Sequence, residues 1–231
     1  MNLNYVQIKL LAQQLNTLCA GALVNKIKKG LGKEIVFELY QEKQKKYLVL
    51  GLNPQYVSCH LAPKEHLQFF LPNSLTLFLR KHFHRRPLIK IESFPNERII
   101  TLFFKGKHQL ILILIPKNPN LLVVDDNNNI LLSLSPYPQK IFTLSDSSTP
   151  LEDDYQPTLP SLQEIAHNYD ESFKKNWLHA LKNKKLKALQ KQLKKTESTL
   201  IKMQKDYQNC LKHEKFLVDG NLILSSSYNL S

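Results

Sequence analysis

The chain has 231 residues, a formal net charge of +13 and a sequence pI near 9.5. That length holds one full core with chain left over, and the charge points to polyanionic partners: RNA, DNA or an acidic membrane surface. Cys19, Cys59 and Cys210 are odd in number and far apart, which excludes a disulfide framework and a zinc spacing and suits a reducing compartment.

The opening M-N-L-N-Y-V-Q-I-K-L-L-A-Q-Q-L lacks the h-region of a signal peptide. From Asn4 to Ala22 the spacing of Val6, Leu10, Leu11, Leu15, Leu18 and Ala22 predicts a helix. Gly21, Gly30 and Gly32 punctuate its exit. Strand-like runs follow at Glu34–Tyr40, Lys46–Leu52 and Tyr56–Leu61, with Asn53-Pro54 turning between the last two. Between Pro72 and Arg86 an apolar helix pattern (Leu75, Phe78, Leu79, Phe83) ends in Arg80, Lys81, His82, His84, Arg85 and Arg86, and Pro87 stops it. After Pro87 come runs at Leu88–Phe94, Arg98–Lys105, Gln109–Ile115, Leu121–Asp125 and Ile130–Leu134, joined by hairpin-type turns at Lys105-Gly106-Lys107 and Asp126–Asn129. The longest apolar stretch, Leu110–Ile115, is far too short to span a bilayer. The expected fold is α+β: a mostly antiparallel sheet domain over residues 1–144, a Ser-, Pro- and acid-rich linker over 145–160, and a lysine-rich coiled-coil helix with a tail over 161–231. In that helix Leu186, Leu189, Leu193, Thr196, Leu200, Met203, Tyr207 and Cys210 form a heptad seam open to self-association, and Asp219-Gly220-Asn221 is expected to break it.

The cations are the chemically informative residues. Macrodipole complementarity accounts for some positive charge at a helix C-terminus, but Arg80, Lys81, His84, Arg85 and Arg86 exceed what a cap needs and have the density expected for phosphate contact. His82 falls beside the apolar stripe, where a core-edge histidine hydrogen-bonded locally is expected. From Lys174 to Lys215 there are 13 lysines against the acids Glu197, Asp206 and Glu214. Lys184, Lys185, Lys187, Lys191, Lys194 and Lys195 therefore repel one another, and a polyanion such as ribosomal RNA would relieve that repulsion. Asn96-Glu97-Arg98 reads from its spacing as a polar hairpin turn; Phe103, Phe104 and Lys105 are similar to an aromatic-basic RNA-stacking surface, but strand alternation allows at most one platform and both Phe read as core. No G-x-S-x-G, P-loop, dinucleotide fingerprint or H-E-x-x-H occurs, so neither an enzyme nor a cofactor or metal site is expected. Asp125-Asp126 and Asp153-Asp154 read as solvated turn acids.

Several segments together resemble the NFACT family, also called the fibronectin-binding-protein-A or RqcH family. They are L-R-K-H-F at Leu79–Phe83, N-E-R-I-I-T-L at Asn96–Leu102, N-P-N-L-L-V-V-D-D at Asn118–Asp126 and H-E-K-F-L-V-D-G-N-L-I-L-S-S-S at His213–Ser227. The last resembles the family's glycine-centred motif after its first coiled-coil helix. The resemblance implies a sheet sandwich like the N-domain of formamidopyrimidine-DNA glycosylases. It also implies binding to obstructed large ribosomal subunits that carry peptidyl-tRNA. Bacterial members extend the stalled chain with alanine from alanyl-tRNA. Glycosylase chemistry needs a processed N-terminal nucleophile, which Met1-Asn2 does not offer. The family's aspartate–arginine pair, implicated in tRNA handling, appears as Glu97-Arg98, and its aspartate near the first helix appears as Asn4. Its helix-hairpin-helix module, second coiled-coil helix and C-terminal domain have no counterpart in these residues, so tRNA or large-subunit binding is expected to survive better than tailing. The expected partners are tRNA, ribosomal RNA and the large ribosomal subunit, in the cytoplasm and without a membrane. The competing readings are a surface adhesin, a DNA-binding protein and a structural coiled-coil module.

Overall fold

A computed structural model describes residues 3–54, 56–143 and 161–228. The first helix, α1 (Tyr5–Cys19), starts at Asn4, whose side chain accepts the Gln7 N–H at 2.8 Å while Gln7 accepts the Asn4 N–H at 3.1 Å. This reciprocal box satisfies two otherwise unpaired donors, a role asparagine fills as well as aspartate does. Ile8, Leu11, Ala12, Leu15 and Cys19 share its buried face.

Two antiparallel meanders follow, each with its strands in sequence order. The first joins β1 (Leu23–Lys29), β2 (Glu34–Gln41), β3 (Gln44–Asn53) and β4 (Tyr56–Leu61). The second joins β5 (Leu88–Ser93), β6 (Ile99–Phe104), β7 (His108–Ile113), β8 (Asn120–Asp125) and β9 (Ile130–Ser133). Helix α2 (Ser74–Phe83) lies between them in the chain. Strand β1 is absent from the periodicity because its register shifts between Val24 and Lys26. The extra residue, Asn25, puts Val24 and Ile27 in the core although they are three apart, which hides the two-residue period.

One face of each sheet and both helices contribute to a shared core. Phe104 is its hinge point: it stacks on Phe37 of the first sheet at 6.0 Å and meets Phe83 of α2 at 4.6 Å between ring centroids. Phe103, one residue earlier, points the other way by strand alternation; it is half-buried, with the Lys90 ammonium 4.5 Å from its ring centre. The opposite faces are apolar too. Phe142 packs with Ile99, Ile111 and Leu122 on one sheet, and Ala62 with Val36, Tyr47 and Val49 on the other. Double-sided burial explains why L-I-L-I-L-I shows no polar alternation.

The two sheets are joined by backbone. Gly21 N–H donates to the Leu88 carbonyl (2.7 Å), Leu88 N–H to Ala22 (2.8 Å), Val24 N–H to Arg86 (3.1 Å) and Arg85 N–H to Val24 (2.8 Å). This seam ends α2 at Phe83, short of the Arg86 expected. His84 is extended, and Arg85 takes the left-handed conformation at φ +58°.

Helix α3 (Leu162–Tyr169) lies in the first of two units, Met1–Lys175, and not with the lysine-rich helix as expected. Its buried Tyr169 packs 5.0 Å from the His60 ring and accepts a hydrogen bond from Asn53 Nδ2 at 3.1 Å. A side chain at Gly51 would meet its hydroxyl. The expected linker at 145–160 and the last residues of the tail lie outside the described residues. Helix α4 (Lys175–Tyr228) accounts for the second unit, Asn176–Ser231, and measures about 80 Å. The break expected at Asp219-Gly220-Asn221 does not occur, because the helix runs through Gly220. One interior glycine costs about 1 kcal/mol, too little to end a long helix by itself. The seam leucines Leu186, Leu189, Leu193 and Leu200 are exposed.

Phe104→Ala should lower stability by about 3–5 kcal/mol in urea unfolding, whereas Arg85→Gly, which relieves a positive φ, should leave stability equal or raise it by up to about 1 kcal/mol.

Candidate nucleic-acid interface

Helix α2 is positioned from both ends. Asn73 caps it, accepting the Thr76 N–H at 3.0 Å while Thr76 Oγ1 accepts the Asn73 N–H at 2.8 Å. Leu75, Thr76, Leu79 and Phe83 bury one face. That leaves Lys81 and His84 exposed and Arg80 half-buried. Arg80 is partly structural: its Nε–H donates to the Ile27 carbonyl of β1 at 2.7 Å.

Of the cations expected on one helix, Arg80 and His84 line one hollow and Arg86 lines another, while Lys81 and Arg85 line neither. One, of about 320 Å³, is lined by Asn25, Lys26, Ile27 and Lys28 from β1 and by Arg80 and His84. Lys28 is 3.1 Å from the Glu38 carboxylate and lies over the Phe69 ring at 4.1 Å. Burial opposes ionisation of Glu38, but hydrogen bonds from Lys28 and Asn25 and the charges of Lys28 and Lys45 outweigh it and hold the carboxyl below its usual range. Glu38 therefore neutralises much of Lys28 and leaves Lys26, Arg80 and His84 to set the sign of this hollow.

The second hollow, of about 380 Å³, gathers His82 and Arg86 with Lys105, Lys107 and His108 of the β6–β7 hairpin. His82 is not held by a local hydrogen bond among the described contacts; its ring packs against Phe78 at 4.4 Å and edge-on to His108 at 4.6 Å. Lys26, Lys107 and His108 had no signal in the sequence, since nothing local distinguishes a hairpin lysine near α2 from any other. Arg86 reaches this region because the seam turns the chain, not because the helix continues.

Glu97 and Arg98 stand elsewhere. They precede β6, and Lys105 follows it, so the two clusters are separated by the length of that strand, about 20 Å. Asn96, at φ +57°, turns the chain there. Glu97 lines a third groove, of about 480 Å³, with Asn118, Asn120, Tyr137 and Phe142. Asn120 is buried and clamps the groove wall. Its Oδ1 accepts the Leu121 and Ser135 N–H groups, both at 2.9 Å, and its Nδ2 donates to the Ser135 carbonyl at 3.0 Å. The family-like strand around Asn118–Asp126 thus supplies both a groove and its support. At its end Asp125 accepts hydrogen bonds from Asn127 N–H, Asn129 N–H and Asn129 Nδ2, a turn cap and not a metal ligand set.

On α4, Lys184, Lys187, Lys191, Lys194, Lys195, Lys202 and Lys205 fall within about 100° of helical arc. Lys185 lies outside that arc. From Lys184 to Lys205 the stripe runs about 30 Å. Among the described residues, no ion pair involves an α4 lysine. No helix among the described residues is long and apolar enough to cross a membrane.

The first unit is therefore an α+β domain of two antiparallel meanders whose central helix is flanked by cationic hollows. A family model described as "NFACT N-terminal and middle domains" matches residues 4–143, well over half of the chain. The chain belongs to the NFACT family. Among solved structures it is similar to the fibrinogen binding protein from Staphylococcus aureus, with TM-score 0.54, 23% identity, and 61% of this chain and 53% of that one covered. It is also similar to the N-terminal domain of fibronectin-binding protein PavA from Streptococcus pneumoniae, with TM-score 0.53, 20% identity, and 68% and 62% covered. A third is the N-terminal part of the fibronectin/fibrinogen-binding protein from Streptococcus suis, with TM-score 0.52, 21% identity, and 64% and 61% covered. The chain spans between about half and three fifths of these relatives. At such identities the likeness establishes the fold. No curated protein matches the chain significantly.

Arg80→Ala should cost about 1.5–3 kcal/mol, because it strands the Ile27 carbonyl, whereas Lys81→Ala should stay within about 0.5 kcal/mol; urea unfolding of the two variants separates the structural cation from the solvated one.

Proposed function

We propose that the protein is an RNA-binding factor of ribosome-associated quality control that grips tRNA and the obstructed large ribosomal subunit during rescue of stalled translation. The observation that carries this reading is the lysine stripe of α4. Like charges at three- and four-residue spacing destabilise an isolated helix. Their persistence along about 30 Å suits a rail for a phosphate backbone, where counterion release rewards each contact. The hollows flanking α2 offer a second, compact cationic surface on a separate unit. Two surfaces on one chain raise the effective concentration of each for a single large RNA. Membership of the NFACT family supports the ribosomal setting. Alanine tailing belongs to the same proposal, with the Glu97 groove as the place where tRNA is handled.

A second reading comes from the printed names of the structural relatives, which describe fibronectin and fibrinogen binding. A basic surface also attracts acidic glycoproteins, so immobilised fibronectin belongs in the same assay.

Reversing Lys184, Lys187 and Lys191 to glutamate should strip the protein from large subunits on sucrose gradients. It should also reduce the salt slope of RNA binding by about two to three. Comigration and slope both unchanged would refute the rail. Glu97→Ala should weaken tRNA binding while leaving subunit comigration in place; equal tRNA affinity would remove Glu97 from the site.

A further inference from the structure

We propose that the hollow between the end of α2 and the β6–β7 hairpin binds one phosphate group, held by Arg86, Lys105 and Lys107 together with a protonated His82–His108 pair. The inference rests on the RNA-binding reading for the source of that phosphate, an internal phosphodiester of an RNA strand.

The geometry is that of a built cluster. Two segments that are separate in sequence converge on it: the end of α2 with the turn that follows it, and the β6–β7 hairpin. Gly106 sits at φ +128°, a conformation other residues rarely take, and its backbone lies alongside the Arg86 guanidinium, with Nη1 3.5 Å from where a Cβ would stand. The guanidinium thus lies beside the hairpin tip that carries Lys105 and Lys107.

Apart from Asp125, the charges that face the histidine pair are positive. Lys81 adjoins His82 on α2, Arg86 follows the helix, and Lys105 and Lys107 precede His108 in the hairpin. The acid across the ladder is Asp125, paired in register with His108. Its carboxylate accepts three hydrogen bonds in its own turn, which, with a smaller contribution from the facing His108, hold it below its usual range despite partial desolvation. Among the described residues, no carboxylate lines the hollow.

This arrangement couples anion binding to proton uptake. Burial, then the neighbouring His108 and Lys81, hold the His82 imidazole below its usual range, so it is neutral in the free protein near pH 7. A phosphate in the hollow reverses the balance, because each ring that gains a proton becomes a charged donor to it. The site therefore tightens as pH falls through the histidine range.

The test uses the full chain. Inorganic phosphate is titrated against chloride at matched ionic strength, and the imidazole resonances are followed by NMR, assigned with His82→Gln and His108→Gln. Phosphate should raise the titration midpoint of His82 by roughly half a pH unit or more. In parallel, tRNA affinity at fixed ionic strength should rise about 3- to 10-fold from pH 7.5 to 6.0. The His82→Gln/His108→Gln double variant should lose that rise, and His167→Gln, an exposed residue of α3, should keep it. Lys105→Ala/Lys107→Ala, confined to an exposed hairpin tip, should weaken tRNA at both pH values without affecting folding. Identical midpoints in phosphate and chloride, or a pH gain that persists in the double variant, would overturn the site and leave RNA binding standing. Phosphate-shifted histidines in a protein that ignores tRNA would keep the phosphate site and overturn its RNA source.

Discussion

The first unit depends on the seam of four backbone hydrogen bonds between Gly21–Val24 and Arg85–Leu88. Each bond alone contributes about 1 kcal/mol, but together they impose geometry that side chains could not. They splice the edge of one meander to the start of the other, so that two sheets close over one core. They also force the chain out of α2 through a left-handed Arg85, which turns Arg86 toward the β6–β7 hairpin. The strain of a non-glycine residue there, of order 1 kcal/mol, is offset by the register the seam sets.

Core and cationic surface are therefore coupled through the same few residues. Phe83 and Phe104 bury against each other, and their chain neighbours His82, His84 and Lys105 border the hollows on either side of α2. A strand end and a helix end packed ring to ring necessarily bring their flanking polar residues together. The rigidity of the core fixes the spacing of the charges, which lowers the ordering cost of binding an anion. The lysine stripe of α4 is organised differently. It relies on helical periodicity alone, and its unit carries charge along a line instead of around a pocket.

The elements whose burial follows a simple period were legible. The leading helix and the basic helix show it, the hairpin strands stand out instead as continuous apolar runs bounded by turns, and all these boundaries shift by a few residues at most. Strand β1 was not legible because the bulge at Asn25 breaks the two-residue period. The continuation of α4 past Gly220 was not either, since a glycine in sequence carries no sign of whether the surrounding helix outweighs it. Helix α3 read as part of the lysine-rich stretch because its periodicity is continuous with it; Tyr169, packed on His60 and Gly51, places it on the first sheet instead.

Composition and local pattern by themselves determined a basic α+β protein with two cation-rich segments, and the motif order carried the family. Those properties depend on charge count and on contacts within a few residues, which the chain displays directly. Only the tertiary structure decided which cations stand together. It separated Glu97 and Arg98 from Arg86 by the length of β6, gave Arg80 a structural bond to β1, and brought Lys105, Lys107 and His108 to the end of α2. Such groupings come from strand register and backbone seams between residues far apart in the chain, and no local spacing encodes them.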